Sequence, residues 1–254
     1  SRVKAPEKGT IKFLRTLPAK TILTEMQTAT DDDRGGLLAA QDGWVFPEPP
    51  AKVFADGRSS PVPILIGSNA QEFPGPEDLA KLRGAIGNFY GSYADRALAL
   101  YGIAGNGTGK SDPLYGGPGM QSFTDYLFRC AATAQAQDQT ASGHASYLYE
   151  FEHPVPGSKT QCHACELPFL FGSLPKNVEV SPVDKKLSDQ MQSYWVNFAR
   201  TGDPNGEGLP PWPRYSADAQ GYLAFTDTGA IAKSNLRSQY CSLWRDQLRA
   251  QIAK

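Results

Sequence analysis

The residues of this 254-residue chain best suited to chemistry are a loop histidine, a loop carboxylate and four cysteines. His163 stands in Gln161-Cys162-His163-Ala164-Cys165-Glu166-Leu167-Pro168-Phe169-Leu170-Phe171-Gly172. An imidazole can take and return a proton near neutral pH when another group aims it. Without such a group it is an inert surface side chain. Glu72 ends Gly67-Ser68-Asn69-Ala70-Gln71-Glu72 and is a candidate acid, with a solvated loop carboxylate as the alternative. The cysteines are Cys130, Cys162, Cys165 and Cys241. An even count allows two disulfides in three pairings. Cys162 and Cys165 form a CxxC, but the second pair that a zinc site needs is missing. Pro168 spoils the helix that a redox CxxC would open. The pair therefore reads as free thiols or as a local disulfide bracing the His163 loop. No metal and no cofactor is implied.

Both candidate residues follow strand-like sequence. Ser146-Tyr147-Leu148-Tyr149-Glu150-Phe151-Glu152-His153 is alternating and β-rich, and it feeds the His163 loop. Pro61-Val62-Pro63-Ile64-Leu65-Ile66-Gly67 is a short continuous apolar run, the pattern of a strand buried on both faces of a parallel sheet. Glu72 and His163 thus both lie beyond the carboxyl ends of strands, where α/β enzymes assemble their sites. Helices are predicted over Glu77–Asn88, Tyr93–Tyr101, Met120–Ala136, Val183–Arg200 and Tyr240–Ile252. In the third, Phe123, Tyr126, Leu127, Cys130, Ala131 and Ala134 share one face. In the fourth, Leu187, Met191, Tyr194, Trp195 and Phe198 do, and Thr201-Gly202-Asp203-Pro204-Asn205-Gly206 ends it. A further short strand covers Gly221–Phe225. Towards the N-terminus, helical patches fall at Ile11–Leu17 and Thr21–Met26, a charged turn at Asp31–Gly36, and a turn at Asp42–Pro50 ordered by Trp44 and Phe46. The class is α/β: a mostly parallel sheet flanked by helices, without internal repeats.

Composition excludes several functions. The 25 Lys+Arg balance 26 Asp+Glu, so no basic surface suits nucleic acid. No apolar run is long enough to span a membrane. No signal peptide opens the chain, and Ser1-Arg2-Val3-Lys4 resembles neither a natural start nor a targeting segment. Ala104-Gly105-Asn106-Gly107-Thr108-Gly109-Lys110-Ser111 fits a relaxed phosphate-loop pattern, but Asp112-Pro113 prevents the helix that would hold the phosphate. It reads as a surface loop. Gly-x-Ser-x-Gly is absent, so the chain holds an acid and a base without a nucleophile elbow.

Pro63-Ile64-Leu65-Ile66-Gly67-Ser68-Asn69-Ala70-Gln71-Glu72 and His163-Ala164-Cys165-Glu166-Leu167-Pro168-Phe169-Leu170-Phe171-Gly172 resemble two motifs of the type-B carboxylesterase (cholinesterase-like) family. The first resembles the segment whose Glu is the triad acid, the second His-Gly-x-Glu-hydrophobic-x-Phe-x-Phe-Gly, whose His is the triad base. Phe73 replaces a Gly after the Glu, and Ala164 replaces a Gly after the His. Trp195–Asn205 and Trp212-Pro213-Arg214-Tyr215 match structural motifs of the same family. The resemblance implies that residues 1–254 form a single unit, the C-terminal half of an α/β-hydrolase domain without the N-terminal half that carries the nucleophile elbow. Catalytic roles fall to His163 and Glu72, while the nucleophilic Ser and oxyanion hole come from an N-terminal chain or segment. It also implies ester hydrolysis, a Cys130–Cys241 disulfide and a secreted or periplasmic location. A non-catalytic cholinesterase-like binding or adhesion protein is the alternative. Phe73, Phe169 and Phe171 are candidates for an apolar pocket, with buried packing the other reading of Phe169 and Phe171.

Overall fold

The computed structural model describes residues 10–28 and 41–253. The chain divides into two compact units, Ser1–Pro50 and Ala51–Lys254. The first holds α1 (Thr10–Leu14) and α2 (Ala19–Thr28). Its later turn is tied by Asp42, whose Oδ1 accepts from the backbone N–H groups of Trp44, Val45 and Phe46 at 2.9, 2.8 and 3.0 Å. Trp44 is 89% exposed. A short side chain capping its own backbone orders this turn, not the aromatic packing that the composition suggested. The charged turn predicted at Asp31–Gly36 lies outside the described residues.

The second unit carries the sheet. After α3 (Pro50–Ala55) come β1 (Ile64–Asn69), α4 (Leu79–Tyr90), α5 (Ala94–Leu100), α6 (Pro118–Thr124), α7 (Cys130–Ala141) and β2 (Ser146–Phe151). A one-turn α8 (Leu167–Leu170), α9 (Pro182–Thr201), β3 (Gly221–Thr226), β4 (Gly229–Ser234) and α10 (Ser238–Ile252) complete it. The strand order is β1-β2-β3-β4; β1, β2 and β3 run parallel and β4 is antiparallel to β3. Gly67 pairs with Tyr149, and a Cβ there would fall 2.3 Å from the Tyr149 carbonyl oxygen, so only glycine fits. Among the described residues β1 has no second neighbour, and Ile64, Leu65 and Ile66 are only half-buried despite their interior composition. β4 was not predicted. Gly-Ala-Ile-Ala-Lys-Ser lacks apolar alternation, and only the two-residue turn from β3 brings it into the sheet. Among the described residues no helix is long and apolar enough to cross a membrane.

Helices cover the sheet through separate apolar clusters. Leu82, Ile86, Tyr90, Cys130, Leu243 and Trp244 join α4, α7 and α10. Phe151, Phe169, Leu187, Met191, Tyr194, Trp212 and Phe225 pack α8 and α9 beside β2 and β3. Cys130 and Cys241 are disulfide-bonded, closing a separation of 111 residues. In the chain-entropy account a loop of that size stabilises by about 4–5 kcal/mol. A capping box between Ser181 and Asp184 starts α9, and Gly202, left-handed at φ 78°, ends it.

The helix predicted over Met120–Ala136 is interrupted. A π-helical turn, Asp125–Arg129, separates α6 from α7. Its extra residue rotates the predicted apolar face, so Leu127 points outward at 43% exposure. Asp125 and Arg129 turn inward, with side chains fully buried. Arg129 pairs with Asp125, donates from Nε to Glu150 at 2.6 Å and donates to the Ala70 carbonyl at 2.7 Å. Arg237 closes the cluster on Asp125 at 2.6 Å. Burial pushes the Glu150 carboxyl up against the pull of Arg129. Breaking such a pair strands a buried charge. Arg129→Met is therefore expected to lower unfolding free energy by about 3–5 kcal/mol in urea titrations, and a loss below about 1 kcal/mol would contradict this role.

Candidate active site

The ends of β1 and β2 lie side by side, with Asn69 paired to Phe151. The chain leaves β1 through Ala70 and Gln71 to Glu72, and leaves β2 towards the His163 loop. The two candidates meet there, 91 positions apart in sequence. His163 Nδ1 lies 2.6 Å from Glu72 Oε2. The His163 side chain is 46% exposed and that of Glu72 only 6%. With the carboxylate ionised it can only accept, so Nδ1 is the donor and a neutral ring carries its lone pair on Nε2. Among the described residues Nε2 has no hydrogen-bond partner.

Glu72 is held from three directions. Its Oε1 accepts from the Asn69 N–H at 2.7 Å, and its own N–H donates to Thr124 Oγ1 at 3.0 Å. Burial pushes its pKa up, the Asn69 N–H and His163 pull it down, and Glu166 adds a smaller upward push; the net direction is up. Asn69 also fixes the opposite loop. Its Nδ2 donates to the Cys162 carbonyl at 2.8 Å and to Glu166 Oε2 at 2.6 Å. Gln161 Nε2 donates to the Glu152 carbonyl at 2.5 Å, tying the start of the loop back to β2.

Cys162 and Cys165 form a disulfide that closes over His163 and Ala164. Of the two readings that the CxxC allowed, the bracing disulfide is the one found. Ala164 takes φ 62°, the left-handed conformation that suits the glycine of the family pattern. An L-residue pays about 1–2 kcal/mol there. Phe169 is fully buried beneath the loop, whereas Phe171 is 71% exposed, so the packing reading holds for Phe169 alone.

Three contributors were not assigned a role from sequence. Asn69 and Glu166 lie inside the quoted motifs, but nothing in their spacing shows that they bridge the two loops. Phe128, carried by the π turn, sits 5.2 Å from the His163 ring, ring centre to ring centre. No sequence signal announces that turn.

A model described as the carboxylesterase family matches residues 115–244. A duck (Anas platyrhynchos) protein described as a medium-chain fatty acyl-CoA hydrolase precursor is 32% identical over 245 residues, 85% of this chain and 42% of its own length. The chain belongs to the carboxylesterase family. This esterase-family chain is also 31% identical to carboxylesterase 4A of Bos taurus, over 80% of the chain and 40% of that protein. A solved structure titled PNB esterase superposes with a TM-score of 0.73 at 26% identity, covering 92% of this chain and 50% of that one. The sheet and its helices are thus the C-terminal portion of an α/β-hydrolase fold. The chain spans less than half the length of the curated relatives it matches here.

The raised pKa of Glu72 has a definite sign in stability. Its ordinary value is 4.5, and in the folded chain it is higher. The folded state therefore binds more protons between the two values. Stability from this group is full below the ordinary value and is lost as pH rises through the folded one. Glu72→Gln abolishes that titration. Between about pH 4 and about pH 7 the urea midpoint of the parent is expected to fall relative to Glu72→Gln. A parent that gained on the variant over this range would show the hydrogen bonds outweighing desolvation.

Proposed function

We propose that this chain supplies the base and the acid of a Ser-His-Glu carboxylesterase of the type-B, cholinesterase-like group. The observation that carries the reading is the 2.6 Å bond from His163 Nδ1 to buried Glu72, with Nε2 unpartnered among the described residues. The nucleophilic Ser and the oxyanion-hole N–H groups come from the N-terminal half of the enzyme, as a separate chain or as a segment. Among the described residues β1 is half-buried and paired on one edge only, which supports a neighbouring strand from that half on its open edge.

In the reaction the Ser Oγ attacks the acyl carbonyl of an ester while His163 Nε2 takes its proton. The imidazolium that forms is stabilised by Glu72, which also fixes the tautomer. Collapse of the tetrahedral intermediate expels the alcohol, which takes the proton from Nε2 and leaves an acyl-serine. Water repeats the cycle, with His163 as base and then acid. No cofactor is needed. The substrate class is small carboxylic esters. Two disulfides support an oxidising compartment, secreted or periplasmic. A non-catalytic adhesion protein would give no use to the oriented imidazole and its desolvated carboxylate.

His163→Ala in the assembled protein is expected to lower kcat/KM for a p-nitrophenyl ester by at least about 10³-fold with folding intact. Activity surviving within about tenfold would remove His163 from this role.

A further inference from the structure

His163 has one hydrogen bond among the described residues, so Glu72 alone does not fix the plane of its half-exposed ring. Two phenylalanines do. The Phe73 ring lies 4.5 Å from the His163 ring at an interplanar angle of 31°, and the Phe128 ring lies 5.2 Å away at 48°. The two phenylalanines meet each other at 5.5 Å. They arrive on different elements. Phe73 directly follows Glu72, so one short loop carries both the carboxylate and a ring. Phe128 comes from the π turn. Among the described residues Phe73 is 42% exposed, and its ring contacts are Phe128 and His163.

We propose that Phe73 is a positioning residue for His163, forming with Phe128 an aromatic wall that holds the imidazole on Glu72 and stabilises its protonated form. The proposal rests on the acyl-transfer reading above. An aromatic face carries negative quadrupole charge and attracts a cation held against it. In the reaction the ring gains a full positive charge when Nε2 takes the serine proton. The attraction is therefore stronger along the reaction than in the resting enzyme, which is the requirement for lowering a barrier. Glu72 faces the ring at Nδ1, and Glu166 lies three residues along the same loop, bonded to Asn69. The π turn contributes Asp125 and Arg129, which pair with each other. All four charges are unchanged in the variants below.

The test compares Phe73→Leu, Phe73→Tyr, Phe128→Leu and His163→Ala in the assembled enzyme. The measurement is the pH profile of kcat and of kcat/KM for p-nitrophenyl acetate. Leu keeps the apolar contact and removes the aromatic face. For Phe73→Leu the acid limb is expected to move to lower pH by about half a unit, with kcat falling by more than KM changes. Phe128→Leu is expected to move it in the same direction, and Phe73→Tyr to restore the parent profile. An unmoved acid limb in both Leu variants, with His163→Ala inactive, would overturn this proposal and leave the acyl-transfer reading standing. An active His163→Ala would overturn both.

Discussion

The geometry of the site depends on one buried cation. Arg129 has no water to solvate it, so the surrounding chain must supply its partners. It finds them in Asp125 on its own turn, Glu150 in β2 and the Ala70 carbonyl just beyond β1. Those contacts pin three pieces of backbone together. Ala70 leads directly to Glu72. Asp125 and Arg129 bound the π turn that carries Phe128, and Thr124, just before it, accepts the Glu72 N–H. The spacing between carboxylate and aromatic wall is therefore set from beneath, by charges whose side chains are fully buried.

A second brace acts from the other side. Asn69 reaches from the end of β1 to two points of the His163 loop, and the Cys162–Cys165 disulfide closes that loop on itself. Together they sustain the left-handed Ala164, which costs energy in isolation. A loop stiffened in this way loses little freedom when the imidazole is aligned. Pre-organisation of this kind lets a proton-transfer group act without reorganising during the reaction.

Much of this was legible in the sequence, and the exceptions have physical causes. The strands at Ile64 and Ser146 are written in β-rich apolar residues, and each ends where its loop takes over. Glu72 and His163 could be picked out because their types and their strand-end positions coincide. The π turn could not be read, since Asp125–Arg129 has ordinary helical composition and the inward turn of its two charged ends depends on partners distant in sequence. With it went the aim of Phe128 and the outward turn of Leu127. β4 was missed because its pairing comes from a tight turn and not from its own composition. The disulfide over His163 was one of two open readings, because four residues of sequence do not show whether two sulfurs meet.

The central claim is that an aligned His163–Glu72 pair serves a serine carried outside this chain. The measurement that tests it most directly is labelling of the assembled, purified protein with a fluorophosphonate probe, followed by intact mass and peptide mapping. The account predicts a single label on a serine outside residues 1–254 that is lost in His163→Ala. No label on the assembled protein, or a label on a serine within residues 1–254, would contradict it.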